Sequence, residues 1–428
     1  MKDALPLRAP ALNIPSPGDT SFPACTRLSN GVPVYLIGNG PEGLIRIEFV
    51  FNAGQRTESV HLASAATNTM LTEGTYLHDA ASVNNLIDAT GALFSPNADK
   101  DSAGLVTVTL TRKLDEVMSL AEEVLFHPSF PEREFRMMKD KRMQAFLIGR
   151  QRTAVRAREE FYRALCGDET PYGRVTCAED YASLSVSHLQ DFHSTHYIPR
   201  NMYITVAGRN PEQALPLLER HFSGEGSGPW SKPVITVPLF SSASPGVIYC
   251  EVKDSVQSTV RMGWKGITRD HPDYLGLQVA TMLLGGYFGS RLMRKIREEK
   301  GYTYGIHAVA GAFHGIGYIA VMTDVANAWR EETVMEIRKE IARLQRDDVS
   351  DDELQVVRNH TMGEIARLFD GPFSVADAIK GIVDYDAGHD YYTRFAETVN
   401  NITPGKIKEL FNTYFNQEEA YVIIAGTA

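Results

Sequence analysis

Apolar residues in this chain fall into short β-branched runs and into longer stretches of helical period, and the two kinds of segment recur twice in the same order. Such residues crowd Ile45 to Phe51 and Thr259 to Trp264, and each run reads as a strand. Each is followed by an apolar helix, from about Leu62 to Leu71 and from about Tyr274 to Leu284, ending near Gly74 and Gly285 as helix C-termini prefer. A second helix, further strands and a pair of long helices follow in both halves. Ala103 to Thr111 and Gly317 to Thr323 extend the two sheets, and Arg133 to Arg150 and Asp352 to Leu368 read as long amphipathic helices. Pro131 and Ser350 stand where helix starts favour a proline or a capping hydroxyl.

The repetition extends to residues. Asp191-Phe192 through Asn201-Met202-Tyr203-Ile204-Thr205-Val206-Ala207-Gly208 resembles Leu410-Phe411 through Glu419-Ala420-Tyr421-Val422-Ile423-Ile424-Ala425-Gly426, and from Gly208 to Gly426 the offset is 218 residues. Between the halves, Ser223-Gly224-Glu225-Gly226-Ser227-Gly228-Pro229 is a Gly/Ser run unsuited to a packed core, and it reads as a linker. The expected organisation is α+β: a domain over 1–222, a linker over 223–245 and a second domain over 246–428. Each domain is a mostly antiparallel sheet covered by helices, and the cleft between them is the natural ligand site.

Composition narrows the function classes. The 428 residues carry 53 acids against 43 bases, a formal charge of −10, which opposes binding to nucleic acid or an anionic membrane. The N-terminal residues lack the apolar run of a signal peptide, and no run of about 18 apolar residues occurs, so a cytoplasmic protein with no membrane partner is expected. Cys25, Cys166, Cys177 and Cys250 form no C-x-x-C pair and are expected to be buried free thiols.

Several strings occur together in order: Leu28-Ser29-Asn30-Gly31-Val32-Pro33-Val34, Asn52-Ala53-Gly54-Gln55-Arg56, Met70-Leu71-Thr72-Glu73-Gly74-Thr75, Gly289-Ser290-Arg291-Leu292, and Arg297-Glu298-Glu299-Lys300-Gly301-Tyr302-Thr303-Tyr304. With the duplication they resemble the pitrilysin/insulinase family of zinc metallopeptidases, which includes the mitochondrial processing peptidase subunits. The resemblance covers nearly the whole chain and implies a metallopeptidase clamshell. Active members carry H-x-x-E-H just before the Met-Leu-x-x-Gly-Thr string, because two histidines at i and i+4 share a helix face and the glutamate acts as base. Here those positions hold Ala65, Ala66, Thr67, Asn68 and Thr69. Ala65 has no donor atom, Thr69 is a poor zinc ligand, and the Asn68 amide cannot act as a base. The family's third ligand, a Glu about 75 residues on, would fall near Gln144 to Leu147, yet no acidic residue occurs from Lys141 to Arg158. The resemblance therefore implies no zinc in this chain. His193 with His196 and His360 with Glu364 are close pairs without a third ligand, and they read as structural.

Other family features persist. The resemblance implies that Arg297 and Tyr304 donate hydrogen bonds to a scissile carbonyl as it becomes an oxyanion; alternatively Arg297 pairs with a surface glutamate and Tyr304 is half-buried in a strand. The turn Gly285-Gly286-Tyr287-Phe288-Gly289 is not a P-loop; by resemblance it touches a passing peptide, or else it simply starts a helix. Lys141, Arg142, Arg150, Arg152, Arg156 and Arg158 form a basic stretch, either a solvated helix face or a docking surface for an acidic partner. The resemblance implies a non-catalytic subunit that works in trans with an H-x-x-E-H-bearing sister subunit, which holds the zinc, on an extended peptide. The alternative is a structural or peptide-binding scaffold. No G-x-S-x-G elbow or comparable nucleophile signature points to another hydrolase.

Overall fold

The computed structural model describes residues 22–40, 42–224 and 242–427; most of the expected linker, 225–241, lies outside them. The first half contributes β1 (Ala24–Arg27), β2 (Pro33–Ile37), β3 (Leu44–Phe51), β4 (Leu93–Ala98), β5 (Ala103–Leu110) and β6 (Met202–Gly208). They form one sheet in the order β1-β2-β6-β3-β5-β4. The second half contributes β7 (Gly246–Glu251), β8 (Gln257–Gly266), β9 (Ile306–Phe313), β10 (Ile316–Ala326) and β11 (Tyr421–Gly426), in the order β7-β11-β8-β10-β9. Both sheets are antiparallel except at one pair each, β2 with β6 and β7 with β11. The strands are thus those the duplication predicts, and β6 and β11 hold equivalent inner places.

The first-half helices are α1 (Ala63–Met70), α2 (Ala80–Thr90), α3 (Leu114–Phe126), α4 (Glu132–Gly149), α5 (Thr153–Cys166), α6 (Ala178–Ser183), α7 (Val186–His196) and α8 (Leu215–Phe222). The second-half helices are α9 (Tyr274–Thr281), α10 (Arg330–Arg346), α11 (Asp351–Leu368), α12 (Pro372–Tyr385), α13 (Tyr391–Asn401) and α14 (Pro404–Tyr414). Pro131 is the residue before α4, and the Ser350 hydroxyl accepts from the Glu353 amide to cap α11. The apolar helix expected to reach Leu284 is α-helical only to Thr281; Met282–Gly286 widens into a π-helical turn that breaks at Gly285.

Every residue of β6 and of β11 is buried, as their unbroken apolar runs require. One face of each sheet packs on helices of its own half; Phe49 of β3 stacks on Phe222 of α8 at 4.5 Å. The other face is covered by a helix from the opposite half. α5 lays Ala157, Phe161, Ala164 and Leu165 on β8 and β11 of the second sheet, among Tyr421, Ile423 and Ala425. Gly263 leaves room for it, since a Cβ there would lie 2.7 Å from the Phe161 ring. Burying Phe161 and Leu165 stabilises this contact by on the order of 3–6 kcal/mol. Reciprocally, α12 lies on β2 and β6, where Ala376 packs against Ile37 and Ala207.

The two halves are therefore interleaved, and much of the space expected as an open cleft is a packed seam. Its polar groups are paired. Arg46 on β3 bonds Glu48 at 2.9 Å and, across the seam, Asp377 at 2.6 Å. Asp384 of α12 accepts from the Tyr203 hydroxyl and from Lys380, both at 2.6 Å, and Lys380 also donates to Ser102 at 2.7 Å. Asp101 accepts from Tyr172 at 2.6 Å and from Tyr385 at 2.8 Å. Burial, reinforced by the neighbouring carboxylates, pushes the Tyr172, Tyr203 and Tyr385 hydroxyls well above the usual phenol pKa. A cavity of about 170 Å³ remains here, lined by Tyr35, Asn52, Met202, His314 and Val383 among others.

All four cysteines are free, but only Cys166 and Cys250 are buried; Cys25 on the edge strand β1 is exposed and Cys177 is half-exposed. Among the described residues no helix is long and apolar enough to cross a membrane.

Candidate functional site

α1 is where the zinc motif would stand, and its side chains have taken other work. Asn68 is buried and its amide donates to the Gly104 carbonyl at 2.8 Å and to the Tyr197 hydroxyl at 3.1 Å, so it brackets α1 to β5 and α7. Thr69 turns its hydroxyl back onto the Ala65 carbonyl at 2.8 Å. α4, the helix that would bring the third ligand, brings Arg142 instead. Its guanidinium donates to the Thr69 hydroxyl and, at 3.3 Å, to the Ala65 carbonyl. Burial lowers the Arg142 pKa, yet an arginine keeps its charge at any ordinary pH.

A fixed cation thus sits against the two positions from which the family's histidines would reach a metal. Zinc does not fit: Ala65 offers no side-chain donor, Asn68 and Thr69 are committed, and Arg142 would stand in like-charge contact with the ion. Gln144 and Ala145 are exposed, and Leu147 holds an apolar side chain to solvent. Among the described residues no three His, Cys, Asp or Glu side chains gather in a group able to hold a metal. His193 is half-buried in α7 with Nε2 2.8 Å from the Leu125 carbonyl, and His360 stacks on Tyr287 at 5.0 Å.

The second-half residues form a separate group. Gly285 is buried, and a Cβ there would lie 2.8 Å from both Ala308 Cβ and its amide nitrogen, so this glycine lets the π-helical turn close on β9. Gly286 abuts the Met282 sulfur and Gly289 the Tyr287 ring. Tyr287 turns inward onto His360 and Phe288 turns out, 62% exposed. Arg297 lies on the π-helical segment Met293–Glu299 and covers the Phe288 ring at 4.3 Å. It makes no ion pair among the described residues, contrary to the expected alternative of a surface glutamate. Tyr304 belongs to the loop before β9 rather than to a strand, and it is 92% exposed. Two strong donors, one half-buried and one exposed, are therefore without a protein acceptor among the described residues. Among the described residues, this segment bonds and stacks with second-half residues such as Glu353, His360, Asp324 and Trp329.

Of the basic stretch, Arg142 is not a solvated charge but the plug of the degenerate site. Its nearest partner is 73 residues away in sequence, so no local pattern reveals it.

Residues 183–360 match the model of a family described as "Peptidase M16 inactive domain". A Bacillus subtilis protein named "Uncharacterized zinc protease YmxG" is 21% identical over 340 residues, 78% of this chain and 82% of that one. A Mycobacterium leprae "Uncharacterized zinc protease", ML0855, is 22% identical over 322 residues, 73% of this chain and 71% of that one. Among solved structures, a peptidase M16 inactive domain from Pseudomonas fluorescens superposes with a TM-score of 0.86 at 21% identity, covering 95% of this chain and 98% of that one. A chain of complex III2 from Candida albicans gives 0.75 at 16% identity, with 94% and 95% covered. Residues 183–360 thus carry the match to the peptidase M16 inactive domain, and the interleaved two-sheet fold is the one seen in the M16 inactive-domain structure from Pseudomonas fluorescens.

Proposed function

We propose that this chain is the non-catalytic subunit of a heterodimeric zinc metallopeptidase. The carrying observation is an asymmetry within the chain. The zinc helix is closed by Arg142, whereas Arg297, half-buried against Phe288, and the exposed Tyr304 have no protein acceptor among the described residues. In this reading a cytoplasmic sister subunit supplies H-x-x-E-H, the third carboxylate and the metal, which provides the Lewis acid. This chain supplies half of the chamber. An extended peptide is held by main-chain hydrogen bonds along a sheet edge and passes the turn of Gly285, Gly286 and Gly289. Arg297 and Tyr304 donate to the carbonyl oxygen as negative charge develops on it.

The test is a tagged pull-down from native cells, with the eluate identified by mass spectrometry and assayed for chelator-sensitive peptide cleavage. Recovery of a similar-sized H-x-x-E-H chain is expected, and Arg297→Ala then lowers kcat by about 10²–10³ with assembly intact, because an oxyanion donor acts in the transition state. A second reading, a peptide-binding or structural scaffold, is favoured by the fold likeness to a chain of a respiratory complex. It expects Arg297→Ala to leave any associated cleavage unchanged.

A further inference from the structure

A second, unrelated constellation lies at the N-terminal end of α1. His61 is buried, and its two ring nitrogens have different partners: Nδ1 lies 2.8 Å from Glu58 Oε1, and Nε2 lies 2.9 Å from Thr176 Oγ1, 115 residues further along the chain. Glu58 is pinned, since Oε1 accepts from the Leu62 amide and Oε2 from the Ser64 amide, each at 3.1 Å. A pinned carboxylate fixes the tautomer with the proton on Nδ1, which leaves Nε2 to accept from the Thr176 hydroxyl. Hydroxyl, imidazole and carboxylate thus stand in the order nucleophile, base and orienter. Arg150 reaches the Thr176 carbonyl at 3.5 Å and holds its backbone from α4.

Thr176 and His61 line a cavity of about 310 Å³ together with Gln55, Leu62, Ala65 and Lys100. That is the volume of a small-molecule site. The Lys100 ammonium has no hydrogen-bond or ion-pair partner among the described residues, so it can donate to an oxyanion formed in the cavity. Burial in this pocket lowers its pKa. Glu58 and Asp99 on the same walls repel an anionic substrate, which leaves uncharged ones.

We infer that Thr176, His61 and Glu58 form a zinc-independent acyl-transfer site for small uncharged esters. Thr176 Oγ1 adds to the ester carbonyl carbon while its proton passes to His61 Nε2. The bond from that carbon to the leaving oxygen then breaks, and the proton on His61 goes to that oxygen, releasing an alcohol. Water adds to the acyl-threonine, giving one proton to His61, and Thr176 regains a proton as the carboxylic acid departs. Ester and water become alcohol and acid, with no oxidant or metal required.

The experiment uses the purified full chain with a chelator present, so its outcome does not depend on any partner subunit. p-Nitrophenyl acetate serves as probe, nitrophenolate release is followed, and the acetylated residue is mapped by mass spectrometry. Expected are acetylation at Thr176, a loss of about 100-fold or more in Thr176→Val and in His61→Gln, and retained turnover in Thr176→Ser. Circular dichroism and melting check that each variant is folded. Acetate found on Lys100 instead of Thr176, wild-type turnover in Thr176→Val, or no turnover in the wild-type chain would each overturn the assignment. Mapping the adduct on the wild-type chain decides the matter even if Thr176→Val fails to fold.

Discussion

Replacing Asp384 by alanine tests how much the seam contributes to holding the halves together. The Asp384 carboxylate is 13% exposed, Lys380 is 19% exposed, and Asp384 accepts from both Lys380 and Tyr203. Lys380 would keep its bond to Ser102 but lose its counter-charge, and the buried Tyr203 hydroxyl would lose its acceptor. Removing one member of a buried pair costs about 3–5 kcal/mol, and the orphaned hydroxyl contributes within that range rather than beyond it, so about 4 kcal/mol is the working figure. Unfolding entropy of about 2.1 cal/mol/K per residue gives roughly 0.9 kcal/mol/K for the whole chain. If the halves unfold as one unit, as their interleaving demands, calorimetry should show a single transition lowered by about 4 °C. Were each half to unfold alone, the entropy per unit would halve and the half losing the interaction would shift by about 9 °C in a separate transition. The double variant Lys380→Met, Asp384→Leu removes both charges and should recover most of the loss. A double variant as unstable as Asp384→Ala, or two resolved transitions in the wild-type chain, would refute the reasoning.

Two further outcomes are expected. Because Tyr172, Tyr203 and Tyr385 hold their protons more tightly folded than unfolded, their contribution is complete below about pH 10, the unfolded phenol pKa, and is lost as pH rises beyond it. Urea unfolding across that range should show falling stability, with a shallower slope in Tyr203→Phe. Separately, installing Ala65→His, Asn68→Glu and Thr69→His should confer zinc affinity, read by titration calorimetry, only when Arg142→Glu is added, which removes the guanidinium and supplies a third ligand from α4. Equal affinity with Arg142 retained would show that the guanidinium does not block the site.

How far the sequence carried depended on whether a feature was local. The runs Met202–Gly208 and Tyr421–Gly426 are apolar at every step or nearly so, which places them as inner strands, and the structure buries all of both. The loss of zinc chemistry was likewise legible, because Ala65, Asn68 and Thr69 are read one residue at a time. The helical period of α5 shows that Ala157, Phe161 and Ala164 share a face, but periodicity is silent on which sheet covers that face. Arg142 looked like one charge among six, since its role depends on a helix 73 residues upstream. Thr176 and His61 escaped for the same reason: a nucleophile elbow is a contiguous string, whereas this pair is brought together only by the fold.

The crossed placement of α5 and α12 bears on where such a chain comes from. A half-length protein with one sheet and one projecting helix would leave a sheet face bare, and two copies could close both faces only by trading helices about a two-fold axis. The present chain has the design of that traded dimer written into a single polypeptide, with α5 and α12 at equivalent places in the two copies. Cohesion between the halves therefore comes from the seam that α5 and α12 build, while the covalent join fixes their stoichiometry. Two halves held in one chain need not be alike, and these are not. The first closes its α1 position with Arg142, while the second leaves Arg297 and Tyr304 without a protein acceptor among the described residues.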